Sequence, residues 1–143
     1  MRLATGQAVT DATCGYRAYR LHLDGMDAPD PEVGTVAAKI LHGLQQQGIL
    51  TCIDTVSEES DRLAQIVPPA LKYTDYVILN EFESGKITGH TILEGDSLDA
   101  EALRAPAKDL QAKGDPKLIV IHMHTRAYAL TSERQALTQP PPR

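Results

Sequence analysis

Asn80 and Glu83 stand three residues apart in the stretch YTDYVILNEFESGKITG, where an apolar run stops. One turn of helix brings such a pair to the same side. A helix opening there also presents free backbone N–H groups, which favour an anion. Carboxylates beside an anion make sense where a divalent cation lies between them. Mg²⁺ typically takes one or two carboxylates, several waters and phosphate oxygens. The pair therefore reads as a magnesium–phosphate site. It reads also, and on spacing alone more readily, as a capping box, with Asn80 the helix cap and Glu83 its first-turn carboxylate. Spacing alone leaves both open.

Asp54 interrupts a second apolar run, ILTCIDTVS. A buried carboxylate is costly unless it is paired or lies at the sheet's edge. Asp54 reads either as a further site group or as a strand-end residue capping the next helix. His122 and His124 flank Met123, so a strand would put them on one face. As metal ligands they have no Cys or carboxylate at matching spacing, and structural or solvent-facing roles account for them. Asp24, Asp27 and Asp30 crowd a loop, which is ordinary turn chemistry, with substrate contact left open. The chain contains no GxxxxGK[ST] and no GxGxxG, which excludes phosphate-loop and Rossmann readings.

These residues need elements to hold them. Met1 to Arg17 shows weak periodicity and reads as irregular. A short strand is expected over Tyr19–Leu23. Asp30 is placed to cap a helix with Pro31 at its first position. Val33, Val36, Ala37, Ile40, Leu41 and Leu44 form its apolar face, and Gly48 stops it. A strand follows from Ile49 to about Val56. Ser57 caps a helix over Glu58–Val67, ended by Pro68 and Pro69. Tyr76–Leu79 is the next strand, and the helix carrying Glu83 and Ile87 closes at Gly89. A helix over Ala100–Lys113 should kink or split at Pro106. KLIVIHM is a buried strand, AYAL is hairpinned to it, and the tail from Thr131 reads as frayed.

Strands alternating with helices predict an α/β fold, a three-layer arrangement with a largely parallel sheet flanked by helices. Continuous apolar strands predict burial on both faces. Ligands of such sheets sit beyond the carboxyl ends of the strands. Asp24 and Asp27, Asp54, and Asn80 with Glu83 all fall at or just after strand ends, and His122 and His124 fall near the end of the last strong strand, so one edge of the sheet could gather them. The division expected is an irregular segment over 1–18, an α/β domain over 19–130 and a tail over 131–143.

Composition narrows the classes. A chain of 143 residues makes one ordinary domain. A net charge of −5 argues against a general nucleic-acid binder. No apolar run reaches the roughly 20 residues that span a bilayer, and the N-terminus has no apolar signal region. Cys14 and Cys52 lie far apart, which reads as two reduced thiols in the cytoplasm. Phe82 is the only Phe and Trp is absent, so Leu, Ile, Val and Ala must build the core.

In the stretch from about Leu21 to Gly89, "Asp-x-Val-Ser-Glu", "Val-Pro-Pro-Ala-Leu", "Asp-Tyr" and "Asn-Glu-x-Glu" follow one another in that order. The stretch resembles the middle of ribokinase-like (PfkB-type) carbohydrate kinases, and the likeness continues faintly through LIVIHMH. The resemblance implies a partial ribokinase-like fold, with ATP and Mg²⁺ as cofactors and a small-molecule sugar as substrate. It implies that Asn80 and Glu83 help organise Mg²⁺ and the ATP phosphates; the strand-end placement, not the resemblance, adds Asp54 beside them as a cofactor-binding candidate. Family members also carry an early Gly-Gly sugar-binding segment, a Gly-rich turn after the strand matching LIVIHM, and a later Gly-Ala-Gly-Asp segment. That last segment supplies the catalytic base and the anion hole. None has a counterpart here. The resemblance thus implies a central fragment of a kinase, without its catalytic base and inactive as this chain, whose open sheet edges invite self-association. Two other readings stand beside it. One is a non-catalytic α/β module that binds a nucleotide or a partner. The other, weaker, is a receiver-like domain with Asp54 as phosphoacceptor, which lacks the late-strand Lys it would need.

Overall fold

The computed structural model describes residues 8–10, 17–19, 25–55, 61–92, 100–124, 126–133 and 135–139. The first strands, β1 (Ala8–Thr10) and β2 (Arg17–Tyr19), pair antiparallel. Part of the stretch expected to be irregular is therefore a hairpin. The expected strand over Tyr19–Leu23 lies mostly outside the described residues, as do Asp24 and Ser57.

Asp30 does not cap a helix. It ends β3 (Pro29–Asp30), which pairs with β4 (Gly34–Thr35) in a small hairpin. Its Oδ1 accepts from the N–H groups of Glu32 and Val33, and its Oδ2 from Lys39 Nζ at 2.7 Å. The carboxylate is spent on a tight turn, and Lys39 holds its pKa below the ordinary value. Thr35 caps instead, its hydroxyl accepting from Ala38 N–H, and α1 runs over Val36–Gln46. Gly48, at φ +73°, ends that turn of chain as expected.

The main sheet has five strands in spatial order β5 (Cys52–Asp54), β6 (Tyr76–Asn80), β7 (Leu118–His122), β8 (Ala127–Thr131) and β9 (Ala136–Gln139). The first three are parallel and the last two antiparallel. Between the strands come α2 (Arg62–Ala70), α3 (Glu81–Thr88) and α4 (Arg104–Gly114). The α/β class with flanking helices is as the alternation predicts.

Three details differ. The helix α2 passes through Pro68 and Pro69 and tightens into a 3-10 turn over Leu71–Tyr73. Each proline leaves a carbonyl four residues back without its donor. Those residues, Ala64 and Gln65, are exposed, so water can serve them. Pro106 is the third residue of α4, where no intrahelical partner is required; the split falls just before it, at a 3-10 turn over Ala100–Leu103. The tail is not wholly frayed, because β9 pairs with β8.

The core lies on one side of the sheet. Val77, Leu79, Ile119, Ile121, Tyr128 and Leu130 point towards Leu63 and Val67 of α2, Ile87 of α3, and Ala107 and Leu110 of α4. The alternate residues of the same strands are half-buried or exposed, with Ile78 at 37%. Every described helix packed on this sheet contributes to the one cluster, so the expected burial of both strand faces is not seen among the described residues.

Candidate functional site at the carboxyl edge of the sheet

The first three strands of the sheet run the same way, so their carboxyl ends share one edge. Asn80 is the last residue of β6 and is in register with His122, the last of β7. Asp54 is the last of β5 and is in register with Ile78, two residues short of Asn80. By strand parity Asp54, Asn80 and His122 belong to the face opposite the helices. Cys52 shares that face, and its thiol is pushed up by burial and then by the charge of Asp54.

Asn80 leaves the strand in an extended conformation and caps α3. Its Oδ1 accepts from Glu83 N–H at 2.8 Å, and Glu83 Oε2 accepts from Asn80 N–H at 3.0 Å. This is a complete capping box. The sequence left a cap and a ligand site open at this pair; the cap is present in full. Glu83 is 2% exposed, and Glu81 adds a second carboxylate to the same first turn. At the far end Gly89, at φ +76°, closes the helix by donating to Gly85 O.

Among the described residues of the early loop, Asp27 as well as Asp30 serves structure. Asp27 accepts from Arg62 through both carboxylate oxygens at 3.2–3.3 Å, tying the loop to the start of α2, and Arg62 lowers its pKa. His122 is exposed at the end of β7. His124 lies beyond the strand and is also exposed. No group of three or more His, Cys, Asp or Glu side chains among the described residues could hold a metal ion by itself. A cleft of about 310 Å³ between α4 and β8–β9, lined by Arg104, Lys108, Gln111 and Tyr128, includes none of the predicted site residues. No helix among the described residues is long and apolar enough to cross a membrane.

No protein-family model matches the sequence, and no curated protein matches it. Solved structures are similar in fold. Phosphofructokinase-2 from Escherichia coli, in complex with fructose-6-phosphate, matches with a TM-score of 0.54 and 21% identity, over 73% of this chain and 31% of its own. Pyridoxal kinase from Bacillus subtilis, an ADP complex, gives 0.55 and 15% over 72% of this chain and 40% of its own. A pyrophosphate-dependent kinase of the ribokinase family gives 0.50 and 13% over 71% and 35%. The fold is ribokinase-like. This chain spans between 31% and 40% of the length of these three kinases. In this chain Asn80 ends β6 and opens α3 at the carboxyl edge of the sheet.

Proposed function

We propose that this chain carries the magnesium- and nucleotide-facing part of a ribokinase-like carbohydrate kinase, which transfers the γ-phosphoryl group of ATP to a sugar hydroxyl. The observation that carries the reading is the Asn80–Glu83 box opening α3 at the carboxyl edge of a kinase fold. The chemistry of the donors supports it. Asn80, Glu81, Glu83 and Asp54 offer only oxygen, which suits a hard cation that keeps several waters and shares phosphate oxygens. Asn80 and Glu83 would hold the hydrated magnesium, with Asp54 beside them on the next strand. The cation supplies charge neutralisation on the phosphates when bound. The amide groups at the start of α3 favour an anion there. The neighbours include kinases of a sugar phosphate and of pyridoxal, so the fold leaves the acceptor open, and the sugar rests on the sequence resemblance.

A second reading, a non-catalytic nucleotide- or partner-binding module, is favoured by the same box. Asn80 and Glu83 bond each other's backbone, a role that requires no ligand. Titration of the 143-residue polypeptide with a fluorescent ATP analogue, with and without Mg²⁺, separates the two. The kinase reading expects binding strengthened by Mg²⁺, and loss of that increment in Glu83→Gln. The amide oxygen introduced by that substitution still accepts from Asn80 N–H, so the melt without nucleotide should change by less than about 1 kcal/mol. Binding indifferent to Mg²⁺ in the unsubstituted chain would leave only the module. The sequence has no Gly-Ala-Gly-Asp segment, and a positioned base is worth about 10²–10⁴ in rate. ADP release over a panel of sugars and nucleosides should therefore stay far below about 1 s⁻¹, the lower end of kinase turnover.

A further inference from the structure

On the helix side of the sheet, away from Asp54 and Asn80, α4 and the β8–β9 pair border the cleft of about 310 Å³. Every residue lining it comes from these three elements. Arg104, Lys108, Gln111 and Ala112 recur along α4 at helical spacing and form one stripe of that helix. Tyr128 and Leu130 of β8 are the floor, and both are buried. Ala136, the first residue of β9, lines the cleft from the edge of the sheet. Gln111 Nε2 donates to Thr131 O at 2.9 Å, which fixes this wall against the end of β8.

The charge of the lining has one sign. Arg104 and Lys108 bring two cations and no Asp or Glu lines the cleft, in a chain whose net charge is −5. Asp109, the one carboxylate of α4, is bonded to His90 Nε2 at 2.7 Å. Lys108 is exposed and has no ion-pair partner among the described residues. We propose that this cleft binds a small organic acid, with its apolar body on Tyr128 and Leu130 and its carboxylate at Lys108. Small-molecule sites start at about 300 Å³ and combine an apolar lining with a few polar groups that fix orientation. A cleft lined by one sign of charge gathers ions of the other. Lys108 supplies the charge. Gln111 has spent one amide N–H on Thr131 and keeps a second to donate.

The volume lies at the low end of the range for such sites, which suits a single ring or a short chain and not a nucleotide. Tyr128 and Leu130 face the helices, whereas Asp54 and Asn80 belong to the opposite face of the sheet. The cleft therefore needs neither Mg²⁺ nor nucleotide, and it stands apart from the kinase reading.

Benzoate and benzamide differ in charge and hardly in shape, so the two together test the assignment. In amide proton–nitrogen NMR spectra of the 143-residue polypeptide without Mg²⁺, benzoate should shift the amides of Gln111, Ala112, Leu130 and Ala136 saturably. A Kd on the order of 1 mM is expected for so small a ligand. Benzamide should bind about fivefold more weakly or worse, the loss of one charge-assisted contact. Lys108→Gln keeps a long stem without the charge, and should weaken benzoate by a similar factor while leaving benzamide unchanged. Ala112→Glu, at an exposed helix position, brings a carboxylate to the rim and should also weaken benzoate selectively. If one variant fails to fold, the other variant and the benzoate–benzamide comparison still decide. The proposal is overturned by the absence of saturable shifts, by shifts confined to other residues, or by equal binding of benzamide. A folded Lys108→Gln or Ala112→Glu that binds benzoate undiminished overturns it too, because the lysine stem then only covers the apolar floor.

Discussion

Gly114→Ala should destabilise the chain by about 3 kcal/mol, at the upper end of what overpacking costs. Gly114 ends α4 where that helix meets the 3-10 turn after α2. A Cβ there would collide with both the carbonyl carbon and the oxygen of Leu71, and lie 2.7 Å from its Cβ. Leu71 is fully buried, and its carbonyl is backbone. No rotamer change relieves such a clash; α4 or the turn must move. Moving α4 shifts Ala107 and Leu110, both fully buried, off β7 and β8. Urea unfolding reads the loss. Gly43 provides the contrast, because it sits inside α1 where an added Cβ would meet nothing within 4 Å. Gly43→Ala should be neutral or stabilise by up to about 1 kcal/mol through helix propensity. Equal effects at the two glycines would show that α4 and the turn do not approach each other this closely.

How much of this was legible in the sequence depends on what decided each element. The β6–α3 unit was legible because its signals are local: an apolar run, an Asn cap with Glu three residues on, and a Gly in the left-handed region at the end. The strand β7 was legible from LIVIH for the same reason. Asp30 and Thr35 were not separable, since either side chain can cap a helix; the β3–β4 hairpin and Lys39 claim Asp30, which leaves Thr35. The path of α2 through two prolines was not legible because the lost bonds fall on exposed residues that only the fold identifies. Strand β9 was hidden because an edge strand need not alternate apolar with polar. At the candidate site, the parallel-strand rule was enough to send Asp54 and Asn80 to one edge. It could not say what Glu83 does, because a capping box and a magnesium site use the same two side chains at the same spacing. Nor could the apolar run of β7 reveal that Leu118 and Val120 stay half-exposed.

At the other edge of the sheet, Asp75 should make stability fall steeply below pH 4. Its Oδ2 accepts from Thr51 N–H at 2.9 Å, from Thr51 Oγ1 at 3.1 Å and from Gln45 Nε2 at 3.3 Å. Its Oδ1 pairs with Lys117 Nζ at 2.9 Å. One carboxylate thus joins α1, the approach to β5, the start of β6 and the approach to β7. Burial pushes the Asp75 carboxyl up. Lys117 and the bonds from Thr51 and Gln45 outweigh that and bring it down from 3.8 to about 2. A folded-state value below the unfolded one means that the folded chain binds fewer protons between the two. The stabilisation is therefore complete above about pH 4 and is lost as pH falls towards 2. A shift of this size corresponds to about 2 kcal/mol. Asp75→Asn removes the charge but keeps an acceptor for Thr51, so at pH 7 it should cost about 2 kcal/mol, and its stability should change less between pH 5 and pH 2. The measurement is urea unfolding of both chains across that range. Parallel pH profiles, with the difference between them unchanged from pH 5 to pH 2, would mean that Asp75 is not the group whose protonation loosens this edge.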